Sequence, residues 1–196
     1  MIHELKSFYV TSSFTKHLHY KNYLLELISK TKYESPVNKD CEVNITKTDW
    51  CYSRNFRRPW VHLIKDDLIN DLNKMVVECN YEKIKVEDIW FQQYTNNSEH
   101  GWHTHSSNFT GVYYVDMPEG SPKTQIIEPY TNSVIELDLK EGDLVMFPSF
   151  TIHKAPKNLN NKTKTIISFN SNWSIFYTKE NYTYPKNKWK KNFTQP

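Results

Sequence analysis

Apolar positions recur at helical spacing in two early stretches of the chain and at strand spacing through most of the remaining sequence. KNYLLELISKTKY (21–33) groups Leu24, Leu25, Leu27 and Ile28, which predicts a short helix. LIKDDLINDLNKMVVECN (63–80) repeats Leu68, Leu72, Met75 and Val76 along one helical face, with Asn80 as a stop signal. The carboxylates Asp66 and Asp67 read there as first-turn residues facing the positive end of the helix dipole. The period then changes. KVEDIWFQQY, FTGVYYVDM, KTQIIEPY, SVIELDL, DLVMFPS and KTIISFNSNW are short, rich in β-branched and aromatic residues, and separated by turn-forming runs such as MPEGSP and KEGD. Helices followed by closely spaced strands predict a mainly β (α+β) fold, a β-sandwich or barrel with helices on one face. The span from Pro36 to Pro59 is polar and reads as irregular. Its SRNFRRPW cluster suits either a loop over the core or a grip on an acidic group.

The length of 196 residues fits a single domain, 1–196. We divide it into a helical and irregular support region (1–88), a β core (89–174) and a basic aromatic tail (175–196). Aromatics make up 15% of the chain, in keeping with strands rather than a bundle. The net charge of +3 is uneven: Thr178–Pro196 holds five Lys and one Glu, so the body is close to neutral. That argues against nucleic acid as the partner of the body. Three cysteines without a CxxC spacing suggest neither a disulfide framework nor a cysteine metal site. No apolar run reaches the roughly 18 residues of a membrane span, and MIHELKSFYV has no leader-like apolar core, so a cytoplasmic setting is expected.

The candidate chemistry lies in WFQQYTNNSEHGWHTHSSNFTGVYYV (90–115), where His100, His103 and His105 fall close together. On an extended segment, His103 and His105 point to the same side and could hold one ion. His153, after the apolar strand DLVMFPS, is the best candidate for a third ligand. Three imidazoles with open positions suit a catalytic divalent metal. Lys164 opens the last strand, and alternation places Lys164, Ile166, Ser168 and Asn170 on one face. An interior lysine needs an anionic partner. The aromatics Trp102, Phe109 and Trp173 could line a pocket or pack the core.

In this order, the segment Trp90–Trp173 resembles the catalytic core of the 2-oxoglutarate and Fe(II)-dependent oxygenases, especially the prolyl-hydroxylase-like branch. The matching positions are His103, Tyr114, the turn Gly142–Val145, His153 and Lys164, with Tyr94 nine residues before His103. The resemblance implies a double-stranded β-helix (jelly-roll) core. It implies Fe(II), 2-oxoglutarate and O2, with Lys164, Tyr114, Tyr94 and Ser168 on the co-substrate. It further implies hydroxylation of an unactivated C–H in an amino-acid, peptide or small-metabolite substrate, with release of succinate and CO2. The family's metal-binding carboxylate is replaced here by His105. Three arrangements are open: a three-histidine site, a two-histidine site, or a carboxylate such as Glu128 or Asp116 brought in from another strand. A three-histidine dioxygenase that does not use 2-oxoglutarate, and a non-catalytic jelly-roll binding module, are the alternatives.

Overall fold

The structure is a computed structural model and describes residues 7–176. The basic tail beyond Phe176 lies outside the described residues. In chain order the elements are β1 (Val10–Ser13), α1 (His17–Ser29), β2 (Val37–Asn38), β3 (Val43–Asn44), β4 (Lys47–Thr48), α2 (Pro59–Glu78), β5 (Tyr81–Tyr94), β6 (Glu99–His103), β7 (Phe109–Asp116), β8 (Gln125–Ile127), β9 (Val134–Glu136), β10 (Asp143–Pro148), β11 (His153–Ala155) and β12 (Lys164–Phe176). They form two six-stranded sheets, one ordered β1-β10-β7-β12-β5-β4 and the other β2-β3-β6-β11-β8-β9. Every named pairing is antiparallel. This is the double-stranded β-helix, with both helices on the outer face of the first sheet.

Strand alternation divides the apolar residues between two cores. One face of the first sheet sends Phe91, Tyr113, Val115, Leu144, Met146, Ile167 and Phe169 against the helices. The opposite face sends Tyr94, Val112, Tyr114, Val145, Phe147 and Ile166 into the space between the sheets, where Ile126, Leu137 and Leu139 meet them. β7 is therefore covered on both sides, which is why GVYYV reads as continuously apolar rather than alternating. Phe109 and Trp173 stack 3.6 Å apart in the helix-side core and do not line a pocket.

Helix α2 starts earlier than its periodicity suggests. Pro59 occupies the first turn, where its missing N–H costs nothing, and Trp60, Val61 and Ile64 already belong to the buried stripe. Asp66 and Asp67 therefore lie about two turns into the helix and do not face its N-terminus. Asn80 ends the helix as expected, with a left-handed φ of 65°. Helix α1 is shifted as well, running from His17 to Ser29. Pro36–Pro59 is not wholly irregular: β2 and β3 extend the second sheet, and β4 extends the first.

Two of the three arginines in the cluster are held by carboxylates of the chain, and the third, Arg57, is exposed. Arg58 is buried against Asp49, which also accepts from Trp60 Nε1 at 2.8 Å and Phe91 N at 2.9 Å. Arg54 donates to Asp88 at 3.1 Å. Both arginines thus have their anionic partners within the chain.

Candidate metal centre and its surroundings

Strands β6 and β11 pair so that His153 lies opposite His103, with their ring centroids 4.3 Å apart. His105 follows β6, and its backbone N–H donates to Ser149 O at 3.0 Å, which fixes the segment beyond the strand end. Its ring is 5.1 Å from those of both His103 and His153. One nitrogen from each ring lies within 4.8 Å of the other two. Two distant stretches of chain therefore bring three imidazoles to one point.

Two of the rings have a fixed tautomer. His103 Nδ1 lies 2.7 Å from Gly101 O, and His153 Nδ1 lies 2.9 Å from Thr151 O. A carbonyl oxygen only accepts, so each Nδ1 carries the proton and each Nε2 keeps its lone pair for a ligand. His105 has no such carbonyl. Beside it stands Asn170, whose Oδ1 is buried without a partner and whose Nδ2 donates to Asp88 Oδ2 at 3.4 Å. Asn170 opposes the fall in the third ring's basicity, and its free Oδ1 is available to accept that ring's N–H, an arrangement common around metal-binding imidazoles.

Burial is the main cause of low basicity in all three rings. It brings His105 down to about 4, with His103 adding to the fall and Asn170 and Asp88 opposing it. His153 lies well below its usual value through burial and the neighbouring histidines, and burial lowers His103 despite its bond to Gly101 O. The rings are neutral at physiological pH, as metal binding requires.

Glu128 and Asp116 do not supply a carboxylate to this centre. Glu128 closes a turn by accepting from the backbone N–H groups of Tyr130 and Thr131 at 3.0 and 2.6 Å, and Asp116 pairs with Lys21 at 2.8 Å. Among the described residues, no acidic side chain joins the cluster.

His100 stacks on His103 at 3.8 Å. Three positions apart on a regular strand, the two would face opposite ways. The pairing instead steps from His153↔His103 to Ala155↔His100, three residues on β6 against two on β11, and this bulge turns His100 to the same side. Gly101 lies in the bulge because the turn between β2 and β3 passes too closely for a side chain: an added Cβ would sit 2.4 Å from Cys41 O. The glycine between the two histidines was the available sequence signal for this bulge.

Lys164 opens β12 opposite Tyr94 of β5 and is 1% exposed. Its Nζ donates to Pro122 O at 2.6 Å and lies 5.5 Å from the centre of the Tyr114 ring. Among the described residues, no carboxylate reaches ion-pair distance of it. Burial pulls its pKa down to about 8, with Glu136 opposing. Close by, Tyr114 Oη and Thr124 Oγ1 are 2.6 Å apart, and Ser168 Oγ donates to Gln92 Oε1 at 3.0 Å. Tyr94 is buried, which holds its phenol above the usual range. Tyr94 and Ser168 thus line a cavity with the imidazoles, while Lys164 and Tyr114 are buried beside Tyr94 and Thr124 and are not part of that lining.

The imidazoles stand between two spaces. The inner one, lined by Tyr94, Thr124, Ile166 and Ser168, is tight, at about 30 Å³. The outer one is about 450 Å³ and is bordered by Val43, Ile45, Trp50 and Trp90. The sequence reading put Asn170 on the face of Lys164 without giving it a role, and it missed Trp90, Gln92 and Thr124, which nothing local distinguishes from their neighbours.

No family model matches the chain, and no curated protein matches it. Solved structures do. A 2OG-Fe(II) oxygenase family oxidoreductase from Burkholderia pseudomallei aligns at a TM-score of 0.64 and 11% identity, over 83% of this chain and 84% of its own. A prolyl hydroxylase from Trichoplax adhaerens, solved with a hypoxia inducible factor peptide, aligns at 0.62 and 13%, over 84% and 82%. The epimerase SnoN, solved with Fe3+, alpha ketoglutarate and nogalamycin RO, aligns at 0.63 and 10%, over 84% and 78%. The chain has the fold of the 2-oxoglutarate and Fe(II)-dependent oxygenases.

Proposed function

We propose that this protein is a 2-oxoglutarate- and Fe(II)-dependent oxygenase in which His103, His105 and His153 hold the metal and Lys164 anchors the far carboxylate of the co-substrate. One observation carries the reading: the fold that brings three neutral imidazoles together also buries an ammonium that has no carboxylate partner among the described residues, opposite Tyr94, which lines the cavity at those imidazoles. A buried cation without an anion is costly, and a dicarboxylate offsets that cost.

The donor set fits Fe(II), though imidazole alone also suits Zn, Cu and Ni. Three neutral rings leave the metal's charge uncompensated, and a doubly negative co-substrate balances it. When bound, iron supplies the site at which dioxygen oxidises a substrate C–H while 2-oxoglutarate yields succinate and CO2. The chain's own groups do the rest. Gly101 O and Thr151 O hold the Nδ1 protons of two ligands, and Asn170 Oδ1 serves the third. Lys164 exchanges Pro122 O for the carboxylate, with the Tyr114 and Ser168 hydroxyls beside it and Tyr94 closing the wall. The inner chamber, at about 30 Å³, is tight for a five-carbon diacid, so side chains lining it must shift to admit one.

Oxygen consumption by iron-loaded protein, with and without 2-oxoglutarate, tests the reading. Consumption that depends on 2-oxoglutarate and produces succinate supports it. Consumption without 2-oxoglutarate points to a three-histidine dioxygenase of another kind. Absence of stoichiometric metal points to a binding module.

A further inference from the structure

The outer cavity lies against His103 and His105 and opens past the 59%-exposed Trp50. Its volume of about 450 Å³ falls within the roughly 300–1,000 Å³ of small-molecule sites. Its lining includes no Asp, Glu, Lys or Arg. Arg58 and Arg54 are held away by Asp49 and Asp88. Two of its inward polar side chains already have partners, Thr48 Oγ1 donating to Phe91 O at 2.8 Å and Gln92 Oε1 accepting from Ser168, while Asn170 Nδ2 is held by Asp88 and its Oδ1 is free beside His105. Besides the imidazoles and the exposed hydroxyls of Thr104 and Ser106, the surface left to contact a guest is apolar and aromatic: Val43, Ile45, Trp50 and Trp90. A charged guest would be desolvated there without compensation.

The strands framing the cavity also have no free edge. β3 lies between β2 and β6, and β4 lies between β5 and Glu34, whose N–H donates to Thr48 O at 2.8 Å. An extended peptide binds by adding to an open edge, and neither strand offers one.

Resting on the oxygenase reading, we infer that the substrate is an uncharged small molecule with an apolar ring or branched skeleton, held by shape between Trp50, Trp90, Val43 and Ile45 rather than by ion pairs. The half-buried Val43 and the exposed Trp50 set this preference.

The test uses full-length protein loaded anaerobically with Fe(II) and 2-oxoglutarate. The probes are phenylacetamide, phenylacetate and phenethylamine, together with a short uncharged peptide containing phenylalanine. The readouts are the shift of the visible band of the loaded protein and, after oxygen is admitted, the probe-dependent formation of succinate. The amide is expected to act at concentrations at least tenfold lower than either charged probe or the peptide. Trp50→Ala should reduce that response severalfold, and Val43→Lys should reverse the preference toward phenylacetate. Each variant must keep the unshifted band, which shows that the metal site is intact. Preference for a charged probe or the peptide, no response to the amide, or indifference to both substitutions overturns the inference. Failure of the band to form before any probe is added instead counts against the oxygenase reading itself.

Discussion

His153 faces His103 across the β6–β11 pairing, their ring centroids 4.3 Å apart and each Nδ1 tied to the carbonyl two residues before it. The relation makes the histidine cluster a property of strand register, since a one-residue slip would turn one ring to the other face. His153→Ala should therefore abolish stoichiometric iron binding and succinate formation. The fold should survive with a loss of about 1–2 kcal/mol, the usual scale for a single buried truncation. Metal analysis of anaerobically loaded protein, beside circular dichroism, measures both effects. Bound iron at unchanged stoichiometry would remove His153 from the ligand set.

Asn170 should act through His105. Removing its oxygen in Asn170→Ala leaves the third ring without an N–H acceptor and should weaken iron binding by roughly 10- to 100-fold, as loss of such outer partners does elsewhere. Asn170→Asp retains an acceptor oxygen and should recover most of the affinity. Competition against a calibrated chelator measures the difference. Equal loss in both variants would mean a packing role only.

Lys164 carries a stability cost that the proposed co-substrate relieves. Burial lowers its pKa to about 8, against an unfolded value near 10.4. Between these values the unfolded chain binds more protons than the folded one, so stability should rise with pH from about 8 to 10 and be flat in this respect below 8. At pH 7 Lys164→Met should stabilise the apoprotein by roughly 1–3 kcal/mol in urea unfolding, the desolvation relief less the bond lost to Pro122 O. The same variant should bind iron normally and need at least tenfold more 2-oxoglutarate. Normal 2-oxoglutarate affinity in Lys164→Met would move the co-substrate anchor elsewhere.

Gly101→Ala tests the bulge. The added methyl meets Cys41 O and must push the β2–β3 turn away from β6. We expect destabilisation of roughly 1–3 kcal/mol and weaker metal binding, since Gly101 O also fixes His103. Chemical denaturation and a metal titration of the same sample measure the two effects together.

Much of this architecture was legible in the sequence, for identifiable reasons. Long strands such as Lys164–Phe176 carry enough alternation to separate Ile167 and Phe169, which meet the helices, from Lys164, Ile166 and Ser168, which face inward. His103 and His153 could be paired because an HxH segment and a distant histidine came in the expected order of strands. Two-residue strands such as β2, β3 and β4 have no period to read, so Pro36–Pro59 reads as irregular. The start of α2 was hidden because Arg57, Arg58 and Trp60 looked like a basic loop, although Pro59 was a helix-start signal. The side to which His100 turns was not legible, because alternation holds only without a bulge. The outer cavity draws on residues from Pro36 to Asn170, and no local pattern announces it.

The most direct test is an anaerobic titration of the metal-free protein with Fe(II) and then 2-oxoglutarate, monitored in the visible spectrum. One iron per chain should bind, and 2-oxoglutarate should then raise a charge-transfer band that is lost in His103→Ala, His105→Ala and His153→Ala. Iron bound without any band on adding 2-oxoglutarate, or a band that persists in all three variants, would contradict the account.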